Sequence, residues 1–209
     1  MNNTIGLLKE ELKLLKASVM ALEVRIENEL TKGFRLGDMA VGETFNLCDH
    51  EFIVLKHENG NTHVISEDFW KKNVKFGDTT DYKTSNLRTI MESEILPNIA
   101  NAVGADNIVE HEVNLISVDM QKDRGTLHCK VRPITFDEAR EFNDLIVNEG
   151  LSDWWWTCTL WSNEKRGWKY SVAVVAPRGY VACYNCDNGH GVRPFCILKS
   201  DIFVSKKGD

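Results

Sequence analysis

Four side chains able to ligate a metal or carry redox chemistry fall close together near the C-terminus: Cys183, Cys186, His190 and Cys196. Thiolate and imidazole are the donors zinc prefers, and a cysteine pair two residues apart often opens such a site. The spacing here is Cys-x2-Cys-x3-His-x5-Cys. Tetrahedral zinc tolerates errors of only ~0.2 Å in ligand distance, so the position of the histidine decides the matter. Cys196 lies inside the apolar run Phe195-Cys196-Ile197-Leu198, as a buried strand thiol would. Calcium has oxygen donors in Asp187 and Asn188 but no further ligand motif. The sequence therefore assigns no metal and no cofactor. A redox role for Cys183 and Cys186 would need a helix N-terminus to lower a thiol pKa. These cysteines instead fall in a strand and turn context.

Other catalytic signatures are missing: no Gly-x-Ser-x-Gly elbow, phosphate loop or dinucleotide fingerprint occurs. The histidines (His50, His57, His63, His111, His128, His190) are scattered, and Glu92 and Glu94 read as a solvated helix face. No catalytic residue is assigned, and the chain reads as non-enzymatic. What the C-terminal third does offer is Trp161, Asn163, Trp168, Tyr170, Tyr180, Tyr184, Asn185, Asp187, Asn188 and His190, in or beside loops. Tyrosine and tryptophan give contact area at low entropic cost, and asparagine gives adaptable hydrogen bonds. These ten are the candidate ligand-binding residues. Ordinary turn chemistry is the alternative, and it suffices for Asp187-Asn188-Gly189.

Composition narrows the partners. Lys and Arg number 25 against 31 Asp and Glu, a formal charge of −6 with no basic stripe, which excludes general nucleic-acid binding. No run approaches the ~18 apolar residues of a membrane span. The opening MNNTIGLLKEELKLLK lacks the order of a secretory signal. The chain is expected in the cytoplasm on synthesis, with a virion-associated destination left open. In that compartment the six cysteines read as thiols or metal ligands and not disulfides, and Cys129, Cys158 and Cys196 as small core hydrophobes.

The elements that must position these residues follow from periodicity. Ile5, Leu12, Val19 and Ile26 recur every seven residues, with Leu8, Leu15 and Leu22 three after the first three. These a and d positions predict a coiled-coil oligomerisation helix over residues 1–32, a dimer by its β-branched a positions, with a trimer left open. Strands are predicted at 44–47, 51–55 and 62–65, the last two joined by the Glu58-Asn59-Gly60-Asn61 turn. A helix over 85–103 has Ser85 as cap and should be kinked or divided by Pro97. Extended segments at 108–133 surround a polar loop, 119–125. Thr135 and Glu138 form a capping box for a second helix reaching Val147. Strands at 154–160, 170–175, 180–184 and 192–198 finish the chain. Of Trp154-Trp155-Trp156, alternation puts two on one face and the middle one on the other, as core anchors. Arg193 reads as a buried guanidinium satisfying loop carbonyls.

The tryptophan run, Tyr170–Val175, Gly179-Tyr180-Val181 and Gly191-Val192-Arg193-Pro194-Phe195 together resemble an uncharacterised bacterial and phage domain family. Gly42-Glu43-Thr44-Phe45, Phe52–Leu55 and Ala102-Val103-Gly104 are similar to its opening half. That family resembles the C-type-lectin-like proteins, including the variable proteins of diversity-generating retroelements. The resemblance implies an α+β, C-type-lectin-like domain over 36–204 behind the coiled-coil helix, with the loops from Trp161 to His190 as ligand face. The expectation is a homo-oligomer that displays this face to a protein or glycan ligand, as a phage adhesin or virion accessory protein would. The alternatives are an intracellular phage-encoded inhibitor of a host protein and, third, a cysteine-dependent metal protein. The cysteine cluster resembles a retroviral-type zinc knuckle, but its histidine comes one residue early.

Overall fold

The computed structural model describes residues 12–16, 18–20, 22 and 33–206, and the chain divides into two units, 1–34 and 35–209. In the first unit, the described helical residues are Leu12–Lys16, Ser18–Met20 and Leu22, only nine in all. That corrects the coiled-coil expectation. Isolated helices shorter than ~12–15 residues are marginal, and a supercoiled seam needs three or more heptads. Leu12, Leu15, Val19 and Leu22 are exposed, and Ile5, Leu8 and Ile26 lie outside the described residues. The described helical residues thus give no structural basis for a coiled-coil dimer or trimer.

β1 (Phe34–Arg35) falls at the division, and in the second unit β2 (Thr44–Leu47), β3 (His50–Glu58) and β4 (Asn61–Ser66) open the fold. Asn59 at φ 51° and Gly60 at φ 76° turn β3 into β4 with the backbone that a tight hairpin demands. β5 (Lys71–Lys75) follows. The long helix is divided as expected: α1 (Asn86–Ile90), a π-helical turn Met91–Ile95, then α2 (Leu96–Val103). Pro97 sits in the first turn of α2, directly after the π-helical turn. Ser85 accepts from the Arg88 N–H at 3.1 Å, and Gly104 stops the helix at φ 85°. β6 (His111–Asn114), β7 (Thr126–Cys129) and β8 (Val131–Arg132) lead to α3 (Phe136–Glu141), which starts on the expected capping box, and α4 (Asn143–Ile146).

The C-terminal third supplies β9 (Trp155–Leu160), β10 (Ser171–Val175), β11 (Val181–Asn185), β12 (Gly189–Val192), β13 (Phe195–Lys199) and β14 (Phe203–Lys206). One sheet has the order β1-β14-β2-β3-β4-β13-β8, a second β11-β10-β9-β12-β5, and β6-β7 forms a separate ribbon. The class is mixed α+β. Its finer form, a C-type-lectin-like domain behind a coiled coil, is not what the elements give.

Alternating residues feed two core clusters. Phe52, Val54, Val64, Cys196 and Leu198 meet Trp156, Val172, Val174 and the helical Leu87, Met91, Ile95 and Ile99 in the larger one. Ile53, Leu55, Ile65, Phe195 and Ile197 turn the other way, toward Trp155, Ala139, Phe142 and Ile146. Burial on both faces explains the unbroken apolar run Phe52–Leu55. The tryptophans divide as alternation requires: Trp155 enters the smaller cluster, while Trp156, with partly buried Trp154, joins the larger. Burying a tryptophan of ~200 Å² is worth on the order of 5 kcal/mol.

Residues 192–198, read as one strand, are two. At Arg193-Pro194 the chain leaves the five-stranded sheet and enters the seven-stranded one. Proline lacks the N–H that a continuous ladder needs. Arg193, fully buried, donates from Nε to Ser66 O (2.8 Å) and from Nη1 to Ile146 O (2.7 Å), with its guanidinium 4.7 Å from the Trp155 ring centre. Burial lowers its pKa to about 10, against the opposing charges of Glu67 and Asp68.

Candidate functional site

The ten candidate binding residues surround the β10–β11 hairpin, and the register of that hairpin determines what it can do. Its pairs run without a shift from Ser171↔Asn185 to Val175↔Val181. Cys186 N donates to Tyr170 O (2.7 Å) at one end, and Ala176 N to Tyr180 O (2.9 Å) at the other. In an antiparallel ladder, hydrogen-bonded pairs alternate with non-bonded ones. Ala182 and Tyr184 therefore turn their backbone groups to β10, while Val181, Cys183 and Asn185 turn theirs outward. β11 is the terminal strand of its sheet, and among the described residues no strand pairs with that outer side.

Both ends of the hairpin are tied down. At the turn, Gly179 at φ 86° places its carbonyl 2.6 Å from Asn143 Nδ2, which donates to it. At the far end Gly77 N donates to Cys186 O (3.1 Å), and the Thr80 hydroxyl reaches Lys169 O. Asn163 caps the turn at 164–166, accepting from Arg166 N at 3.2 Å, and donates to Asp123 at 2.7 Å. Asp119 is held by Ser117 (2.6 Å), Ser162 (2.6 Å) and Arg166 (2.8 Å), bonds that lower its pKa, the Ser117 bond most. This network braces the polar 119–125 loop against the β9–β10 connection.

The aromatic side chains form two groups. Trp154 meets Tyr180 at 5.2 Å and Tyr184 at 5.4 Å between ring centres, both edge-on, beside the β10–β11 turn. Trp161 meets Trp168 at 6.3 Å near the other end, with Tyr170 alongside Lys169. Tyr180 is 60% exposed, and Trp168 and Tyr170 nearly half. Asn185, Asp187 and Asn188 are exposed at the following turn, where Asn188 N donates to Asn185 O at 2.9 Å. His190 is different: it is buried beneath Tyr184 (4.7 Å) and Trp156 (4.8 Å), with Asp153 3.4 Å from Nδ1. The structure thus brings Tyr180 and Tyr184 to either side of Trp154 and Trp161 against Trp168, sets Tyr170 beside Lys169, assigns Asn163 to a brace, and puts His190 below the surface. Sequence reasoning assigned Trp154 to the core alone, since a tryptophan run gives no sign of which member stays half exposed.

No protein-family model, curated protein or solved structure matches this chain.

The lectin-like expectation therefore rests on no shared fold, and what stands is a mixed α+β domain. The display role, as adhesin, virion accessory or host-protein inhibitor, also loses its basis, because it drew its avidity from the N-terminal helix. The cysteine cluster does not converge. Cys186 joins the larger core cluster, Cys183 faces the other way on β11, and Cys196 lies in β13 of the other sheet. Among the described residues no three His, Cys, Asp or Glu side chains come close enough to hold a metal ion. Burial raises the pKa of all six thiols, Cys158 to about 12, so none is an activated thiolate. Among the described residues no helix is long and apolar enough to cross a membrane.

Proposed function

We propose that the domain is a recognition module and not an enzyme, and that it binds through the outer side of the β10–β11 hairpin. The observation that carries this is an edge strand without a single charge, Val181-Ala182-Cys183-Tyr184-Asn185, flanked by exposed Tyr180 at one end and Tyr170 and Trp168 at the other. Folded proteins ordinarily blunt such an edge with lysine, proline or a bulge. Rigid aromatic side chains beside adaptable polar turns are suited to contact. The raised thiol pKa values agree with a role other than nucleophilic catalysis.

The test is to select peptides from a random display library on the full-length chain and measure their affinity for Tyr180→Ala and Trp168→Ala variants. Tyr180 is 60% and Trp168 44% exposed, so folding should be little affected. Loss of an aromatic anchor from an interface costs more than ~1 kcal/mol, about fivefold in affinity or more. Binders insensitive to both substitutions would refute the assignment.

A further inference from the structure

We infer that β11 takes its ligand by strand addition, the occupant being an extended, uncharged segment of another protein. This rests on the recognition surface just proposed and specifies its chemistry.

The groups to be paired are defined by the register. The N–H and C=O of Val181 and Cys183 and the N–H of Asn185 point away from β10, and the Asn185 carbonyl accepts from Asn188. Outward residues recur every ~6.8 Å, the repeat of an incoming strand. The opposite edge of the same sheet shows the contrast. β5 carries Lys71, Lys72 and Lys75, its pairing with β12 shifts register between His190 and Val192, and Asn73 sits at φ 53°. Charge and irregularity are the two means by which sheets reject added strands. This sheet uses both on β5 and neither on β11.

The flanks fit an extended chain. Tyr184, with Trp154 against it, forms a shelf on one face of β11, and Val181 and Cys183 line the other. Side chains of an added strand would fall alternately on the two, as strand-addition ligands require. A second copy of this chain is the poorer occupant. A five-residue strand spans ~17 Å, so edge-to-edge pairing covers a few hundred Å² at most, against ~800 Å² per partner in a stable dimer. A flexible segment also reaches Tyr180 and Tyr170 beyond the strand ends.

The probe is a peptide selected from the display library, resynthesised with a single backbone N-methyl group at each position in turn and titrated against the full-length chain. Strand addition requires an alternating profile. Methylation at every second position should weaken binding about tenfold, and at the intervening positions it should have little effect. Cys183→Pro gives the complementary result. Its N–H points outward, so proline there spares the ladder to β10, as edge prolines do, and should weaken binding to a similar degree. Should that variant not fold, the methyl scan decides alone. A flat scan with binding still lost in Tyr180→Ala would overturn strand addition and leave the recognition surface standing. Insensitivity to both would overturn both. A dimer in sedimentation that the peptide dissociates would make a second copy the occupant and overturn the proposal.

Discussion

Replacing Glu138 by glutamine should cost the domain about 3 kcal/mol at neutral pH, and almost nothing at pH 2. Glu138 and Arg132 form a two-pronged pair, Nη1 to Oε2 at 2.7 Å and Nη2 to Oε1 at 2.6 Å. Arg132 is buried, and its Nε donates to His111 Nε2 at 3.0 Å. The glutamine keeps the shape and one acceptor but leaves a buried guanidinium without its counter-charge. Breaking a buried pair from one side costs ~3–5 kcal/mol. The titration of Glu138 gives a separate figure. Burial pushes the carboxyl up, but Arg132 and the Thr135 N–H outweigh it and hold the pKa at about 2 against 4.5. At 1.36 kcal/mol per unit that is about 3 kcal/mol. Because the folded-state pKa is depressed, the unfolded chain takes up the proton first. The stabilisation is complete above pH 4.5 and is lost as pH falls toward 2. Urea unfolding of wild type and Glu138→Gln across pH 7 to pH 2 measures this directly: the gap should be widest at pH 7 and close below pH 4.5. A gap that stays constant with pH, or one under ~0.5 kcal/mol at pH 7, refutes the reasoning.

Two further outcomes follow from the packing. His111 and His63 are both held neutral, at about 4 against 6.5, by burial first and then by Arg132 and Lys56 respectively. Stability should therefore decline as pH drops from 6.5 to 4, before the Glu138 loss is complete, and a His63→Asn/His111→Asn variant should show a flatter profile in the same titration. In Gly191→Ala, the added Cβ would lie 2.3 Å from the Phe69 ring. Overpacking of this kind costs ~1–3 kcal/mol, so the melting temperature should fall by about 5 °C, and Phe69→Leu should recover part of it.

What the sequence made legible was local. Asn59-Gly60, Ser85, Gly104 and the Thr135/Glu138 box each fix a backbone conformation by their own chemistry, and each stands where expected. Alternation also placed the tryptophans and Cys196 correctly, since a strand residue's face depends only on its neighbours. What failed depended on partners distant in sequence. β5 was invisible because its lysines break the apolar period, and it is a strand only because β12 lies beside it. The single strand read at 192–198 had the right apolar run but no sign that its halves belong to different sheets. Heptad spacing near the N-terminus shows which residues could form a seam, not that a helix of sufficient length exists. The candidate binding residues were chosen by composition, and composition could not tell surface Tyr180 from buried His190 or the brace Asn163.

The arginine at the sheet crossover explains why an exposed edge can coexist with a stable fold here. A strand that invites partners must not itself slip or fray, or it would pair with anything. Among the described residues β11 has one neighbouring strand, so its rigidity has to come through β10 and β9. β9 carries Trp155 and Trp156, each fully buried and each anchored in a different core cluster, and Trp156 Nε1 donates to Val74 O in β5 at 2.7 Å. Arg193 stacks on Trp155 while bonding the carbonyls of Ser66 and Ile146, so one side chain links the end of β4, the end of α4 and the strand beneath the hairpin. Asn143, in that same α4, holds the β10–β11 turn through Gly179 O. The buried charge is expensive, as its lowered pKa shows, but it fixes the hairpin to the core from behind and leaves the outer side of β11 as the side with unpaired groups.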